Sequence, residues 1–271
     1  MVATDLRDEL VSRGEQVFLA TKSDLDITDS RNVNAYVAER RPAIIVNCAA
    51  YTKVDQAEQE ESVANAINGS AVDLLASAAN EAGALLVQIS TDFVFDGTKR
   101  TPYEINDATN PLGVYGHSKL LGEFAATHAA KHLIVRTSWL FGTNGPNFVE
   151  AIRNQVRKGT NPLRVVSDQR GRPTYTPHLA EAIIRLAQNE LARGVVHYAD
   201  DDECTWFDFA KAIVEELGNP VDVRPVTTDE FPRPARRPAY SVLSTERYER
   251  ITGVRPASWR EGLRDYLEKR A

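Results

Sequence analysis

Short apolar runs and polar, helix-periodic stretches alternate along most of the chain. Residues 4–13, TDLRDELVSR, put Leu6, Leu10 and Val11 on one helical stripe, with Gly14 as the stop. VFLA (17–20) predicts a short strand, and the polar stretch after it leads to a helix near 31–40. AIIVNCA (43–49) and ALLVQIS (84–90) are apolar at successive positions, as strands covered on both faces of a parallel sheet are. A long helix is expected over 61–82, ending at Gly83. Another is expected from VYGHSK (114–119), after the turn at Asn110-Pro111, and a strand over HLIVRTSWLF (132–141). Helix, strand and helix follow to about residue 192. This alternation predicts an α/β fold with a Rossmann-like doubly wound parallel sheet. Past residue 200 the rhythm loosens into a proline- and arginine-rich segment, with short helices expected at TERYERITG and SWREGLRDYLEKR. The expected division is a dinucleotide-binding core over 1–160. Residues 161–271 form mainly a smaller substrate-binding subdomain, interleaved with late core elements.

Composition narrows the function. Hydrophobic residues make up 42% and charged residues 26%, and the formal net charge is −6. An acidic chain of ordinary globular balance is a poor binder of nucleic acid, which needs a basic surface. The two cysteines, Cys48 and Cys204, form no CxxC or Cys/His cluster, so neither a disulfide framework nor a structural zinc site is expected. No apolar run approaches the ~20 residues of a membrane span. The amphipathic N-terminus does not resemble a signal peptide. A cytoplasmic protein acting on a small molecule is the expectation, with no nucleic-acid or membrane partner, as a monomer or a homodimer.

In open α/β sheets, ligands sit outside the carboxyl ends of the strands. Polar residues fall there three times: Asn47 to Thr52, Ser90 to Phe93, and Thr137 to Trp139. Each alone is explained by a turn satisfying its own backbone; three on one rim indicate a site. Tyr115 and Lys119 are one helical turn apart and so are neighbours. A lysine beside a phenol favours the phenolate and lowers a pKa ordinarily near ~10. Such a phenol can pass its proton to a carbonyl oxygen that is becoming an alcohol. Tyr-x-x-x-Lys also occurs by chance on solvated helices, and the preceding strand-end Thr91 is what raises its weight.

ISTDFVFDG, NPLGVYGHSKLLGE and RTSWLFG resemble the extended short-chain dehydrogenase/reductase family, and within it the dTDP-4-dehydrorhamnose reductases. VNCAAYTKVDQAE, DQRGRPTYT, RRPAYSVLS and SWREGL agree, so the likeness spans nearly the whole chain. The resemblance implies reduction of the 4-keto group of a dTDP-4-keto-6-deoxy sugar in dTDP-rhamnose biosynthesis. It makes Tyr115 the proton donor, Lys119 its partner and the holder of the nicotinamide ribose, and Thr91 a hydrogen-bond donor to the reacting oxygen. Asp92 and Trp139 then face the nucleotide sugar, Trp139 offering a flat aromatic face. Ala50, Tyr51 and Thr52 line the dinucleotide, and Asp26 and Ile27 flank its adenine. The bland readings are a core Trp139 and a helix-capping Asp26. Phe93 stands where many members have tyrosine. No acid follows VFLA, and Lys22 could meet a 2′-phosphate, which favours NADPH while leaving NADH open. Magnesium is implied only by the resemblance. Arg170 and Arg172 either reach a diphosphate or are solvated loop charges.

The family begins with an apolar strand and a glycine-rich turn, and MVATDLRDEL matches only the end of that turn, with Ala3 near its third glycine. The expectation is that Met1 is an internal methionine of a longer natural protein, and that the chain as given binds dinucleotide weakly or is poorly soluble. The competing reading is a chain that has lost cofactor binding, like the non-catalytic β subunit of methionine adenosyltransferase. A third is another nucleotide-sugar enzyme of the fold. Dehydratases place Asp-Glu after the active-site threonine, whereas here Asp92-Phe93 follow Thr91.

Overall fold

The computed structural model describes residues 1–270. Its main sheet has four parallel strands in the spatial order Ile44–Asn47, Leu85–Thr91, His132–Thr137, Gly194–His197. The two central strands are almost wholly buried. Because side chains alternate across a strand, Val87, Leu133, Val135 and Val196 point to one face. There they pack with Val2 and Leu6 of the Val2–Ser12 helix and with Leu179 and Ile183 of the Thr176–Ala187 helix. Leu86 and Ile134 point to the other, against the helices Ser30–Arg40, Ala71–Ala82 and Val114–Ala126. Helices on both faces are why these strands read as continuous apolar runs.

A second core forms beyond the carboxyl rim. Phe141, Tyr175, Phe209, Trp259 and Tyr266 are its largest members. The short parallel pair Leu163–Val166 with Val223–Val226 borders it, together with the helices Phe148–Arg157, Trp206–Glu216 and Trp259–Glu268. The chain enters this layer after residue 137 and returns to the main sheet for 176–197 before leaving again.

Two local expectations are corrected. VFLA (17–20) is not a strand: among the described residues nothing hydrogen-bonds its backbone, and Phe18 and Leu19 are exposed. β-propensity alone does not hold an isolated extended segment, which needs a partner for its ladder. The helix over 61–82 is not uniformly α-helical either. Ala66–Ser70 forms a π-helical turn between Glu61–Asn65 and Ala71–Ala82, a feature that re-aims side chains and is frequent at functional sites.

Candidate active site

The Val114–Ala126 helix starts at Gly113, whose residue type offers no side-chain cap. Glu58 supplies the cap instead, its Oε1 accepting from the Val114 N–H at 2.9 Å. The helix then lies along strand Leu85–Thr91. Its stripe Tyr115, Lys119, Glu123 meets the last three residues of that strand. The Thr91 hydroxyl faces the Tyr115 phenol, the Lys119 ammonium donates to the Ile89 carbonyl at 2.6 Å, and the Ser90 hydroxyl donates to Glu123. Thr91 and Lys119 are buried. The Phe93 ring packs edge-on against Tyr115, 5.7 Å between centroids.

The electrostatics differ from the expectation drawn from Tyr-x-x-x-Lys. Tyr115 is pushed up to about 12, by burial and by the negative charge of Asp92, against the Thr91 hydrogen bond that lowers it. Burial takes Lys119 down to about 8, opposed by the Glu123 charge. Spacing on the helix makes the two residues neighbours, but the carbonyl of Ile89 holds the ammonium, and burial decides the direction of both shifts. Burial also raises Asp92 to about 7 although the Ser241 and Thr91 hydroxyls pull the other way. Asp92 Oδ1 accepts from Thr91 at 3.1 Å, while Oδ2 is buried with no partner of normal geometry.

The loop after the first sheet strand is tied to this helix through a residue that the sequence did not single out. Asn68, carried on the π turn, accepts from the Tyr51 N–H at 2.8 Å and donates to the Tyr51 carbonyl and the Ser118 hydroxyl. Tyr51 donates to Glu60 at 2.6 Å and is pushed up to about 12 by desolvation and by that carboxylate. Ala50 and Thr52 flank it on the same loop. Asp26 and Ile27 lie in a separate loop. Asp26 accepts from the Thr28 N–H and hydroxyl, Ile27 packs beside Val33 and Val37, and Asp29, not Asp26, caps the following helix. Lys22 is exposed.

Trp139 differs most from what was expected. Its backbone has φ +46°, a left-handed conformation costly for a large side chain. Its indole lies flat on Trp206, 3.6 Å between centroids at 6°. Gly171 closes on the same ring: a Cβ there would fall 2.5 Å from an indole carbon. The ring is a wall fixed by Trp206 rather than a free platform for a base. Arg170 pairs with Glu203 at 3.2 Å and is partly exposed, whereas Arg172 is mostly buried, with Asp201 at 3.4 Å and Nε and Nη1 unpartnered.

Among the buried polar atoms without partners are Asp92 Oδ2 and Thr137 Oγ1, at the ends of the two central strands, and two nitrogens of Arg172. The small residues Ala49 and Ala50 follow the neighbouring Ile44–Asn47 strand. Donors and acceptors over a wall of small side chains suit a nucleotide's amide, ribose and phosphate groups. Among the described residues no group of three or more His, Cys, Asp or Glu could hold a metal ion, and no helix is long and apolar enough to cross a membrane.

The chain is 42% identical over 268 residues to the spore coat polysaccharide biosynthesis protein SpsK of Bacillus subtilis, covering 98% of this chain and 93% of that protein. It is 40% identical over 270 residues to a dTDP-4-dehydrorhamnose reductase of Mycolicibacterium smegmatis, covering 98% and 81%. The crystal structure of the Bacillus anthracis dTDP-4-dehydrorhamnose reductase in complex with NADP superposes with a TM-score of 0.94 at 38% identity, over 99% of this chain and 95% of that one. The family model described as the RmlD substrate binding domain matches residues 1–271, and the chain belongs to that family.

Proposed function

We propose that the protein is a dTDP-4-dehydrorhamnose reductase, which uses NADPH to reduce the 4-keto group of dTDP-4-dehydro-6-deoxy-L-mannose and so forms dTDP-L-rhamnose. The observation that carries the acid–base assignment is the cluster of half-buried Tyr115 with buried Thr91 and Lys119 at the carboxyl end of one central strand.

The bound dinucleotide supplies the hydride. Tyr115 supplies the proton, from its Oη to the sugar O4. A phenol pushed up to about 12 is almost wholly protonated at neutral pH, which is the form a donor must have. The Thr91 hydroxyl, fixed at the strand end, hydrogen-bonds the same oxygen and stabilises the charge that develops there. Lys119 keeps a positive charge beneath the phenol and has donors to spare for ribose hydroxyls. Residues 50–52, held by Asn68, line the dinucleotide, with Asp26 and Ile27 at the adenine end. Asp92, Arg172 and the Trp139–Trp206 wall lie on the sugar-nucleotide side, Arg172 toward the diphosphate. The main-sheet layer then serves the dinucleotide and the second core the substrate. The relatives named as reductases disfavour the non-catalytic reading.

The test mixes the protein, NADPH and dTDP-4-keto-6-deoxy-L-lyxo-hexulose and follows nicotinamide absorbance. Turnover that Tyr115→Phe abolishes is the expected result. Equal turnover by the variant would refute the role of Tyr115, and no turnover by the parent protein even at saturating NADPH would refute the reductase reading.

A further inference from the structure

Beneath the catalytic cluster lies a second polar group that the reaction does not directly use. Glu123, two turns past Tyr115, and Arg136, on the neighbouring strand, form a buried bidentate pair. Arg136 Nε and Nη2 reach the two carboxylate oxygens at 2.9 and 2.7 Å, and the side chains are only 5% and 6% exposed. Ser90 donates to the same carboxylate. Arg136 also points Nη1 at His197 Nε2, at 3.4 Å, while His197 Nδ1 meets the Tyr103 carbonyl at 3.1 Å. Donation to Nε2 requires the neutral ring, and burial and the Arg136 charge do push His197 down to about 3. Such a pair is a poor source of stability, because desolvation offsets most of its attraction. Its position is what distinguishes it: the carboxylate is one helical turn from Lys119.

We propose that Glu123 is a positioning residue of the reductase, its carboxylate held by Arg136 and Ser90 so as to keep Lys119 charged over the working pH range. The inference rests on the assignment of Lys119 above. The groups acting on Lys119 are few. Its own helix contributes Glu123, with Tyr115 one turn before it a neutral phenol. Across from it stands Cys48, a thiol raised to about 11 and so neutral at neutral pH. Arg136 and the neutral His197 lie behind Glu123, Asp92 lies beyond Tyr115, and the Met1 amino group acts on Cys48. Glu123 is thus the one carboxylate whose charge directly supports the ammonium. A neighbouring opposite charge moves a pKa by about 1–3 units. Lys119 stands at about 8 with that support, so without it the side chain would be uncharged in half or more of the molecules at neutral pH. Arg136 works in the opposite direction by sharing the carboxylate.

Two variants therefore shift Lys119 with opposite signs. Glu123→Gln is expected to move the alkaline limb of the kcat profile down by at least about one pH unit, and Arg136→Met to move it up. A merely structural pair would lower rate or stability in both variants with the limb in place. The direct readout is a lysine ¹³C NMR titration of the protein without dinucleotide, the Lys119 resonance being assigned by its loss in Lys119→Arg. If a single variant fails to fold, Glu123→Gln/Arg136→Met strands neither member of the pair and is expected to titrate Lys119 below the parent value. Titrations that do not move, or move together in the single variants, would overturn the inference. Opposite shifts in a protein that does not turn over the sugar would sustain it and refute the reductase reading instead.

Discussion

Replacing Asp92 by asparagine should stabilise the protein, and increasingly so as pH rises. Asp92 is 2% exposed, one of its oxygens has no partner, and burial lifts its pKa from 3.8 to about 7. A raised carboxyl pKa means that the unfolded chain ionises first. The penalty on the native state is therefore absent below pH 3.8, grows through the window up to about 7, and is constant above it. At about 1.4 kcal/mol per unit, roughly three units give about 4 kcal/mol near pH 8 and a little under 2 near pH 5. With the side chain this buried, solvent does not screen the effect. Asparagine has the same shape and no charge, so Asp92→Asn removes the penalty. Differential scanning should show the variant melting on the order of 10 °C above the parent near pH 8, with the gap narrowing to a few degrees near pH 5. Turnover should fall in the same variant, because one acceptor oxygen of the residue proposed to face the sugar becomes an amide donor. A gap independent of pH, or none at pH 8, would refute the reasoning by showing that Asp92 carries no burial penalty. A cost borne in the native state at a functional residue is the usual trade of stability against activity.

Two further changes probe the frame around the site. A Cβ on Gly116 would lie 2.2 Å from the Phe93 carbonyl oxygen. Gly116→Ala must therefore push the catalytic helix off the strand end, costing about 1–3 kcal/mol in denaturant unfolding and lowering kcat by up to about 100-fold; unchanged kcat would show that the helix position is not critical. Asp96 is held down at about 2 by hydrogen bonds from the Thr98 N–H and hydroxyl, Tyr103 and Asn110, so its contribution is present above pH 3.8 and lost as pH falls toward 2. The stability difference between the parent and Asp96→Asn should vanish on acidification through that window, and a difference that persists there would contradict it.

What could be read from the sequence was local or periodic. The strands near 85 and 132 announced themselves as apolar runs because helices cover both their faces; the run near 44 reads the same way although its strand lies at the sheet edge with Ile44 exposed. Thr91, Tyr115 and Lys119 stood out because a strand end and a helical turn are short-range geometry. VFLA failed because a strand is defined by a hydrogen-bonded neighbour, which its own four residues cannot provide. Asn68 was hidden by a π turn with no composition signal, and Trp206 by a stack between residues far apart in the chain. Glu123 was findable: it continues the Tyr115–Lys119 spacing by one more turn. Trp139 was singled out by its position just past the strand end, but the sequence could not show that its ring is stacked on Trp206 and closed by Gly171.

Proximity was legible where the sign of its effect was not. Tyr115 and Lys119 are neighbours by helical spacing, and from that alone the lysine should acidify the phenol. Burial acts on both groups at once, disfavouring phenolate and ammonium alike, and at Tyr115 the Asp92 charge adds to it. The consequence suits reduction better than the simple pairing would. A phenol near 12 stays loaded with its proton, and an alkoxide formed at the sugar carbon is a strong enough base to take it, so transfer needs no acidified ground state. What the site does need is a positive charge that persists under the phenol while negative charge passes across it. A lysine near 8 holds that charge only while a carboxylate supports it. The buried Glu123–Arg136 pair is thus part of the proton-delivery apparatus, although neither residue touches the sugar.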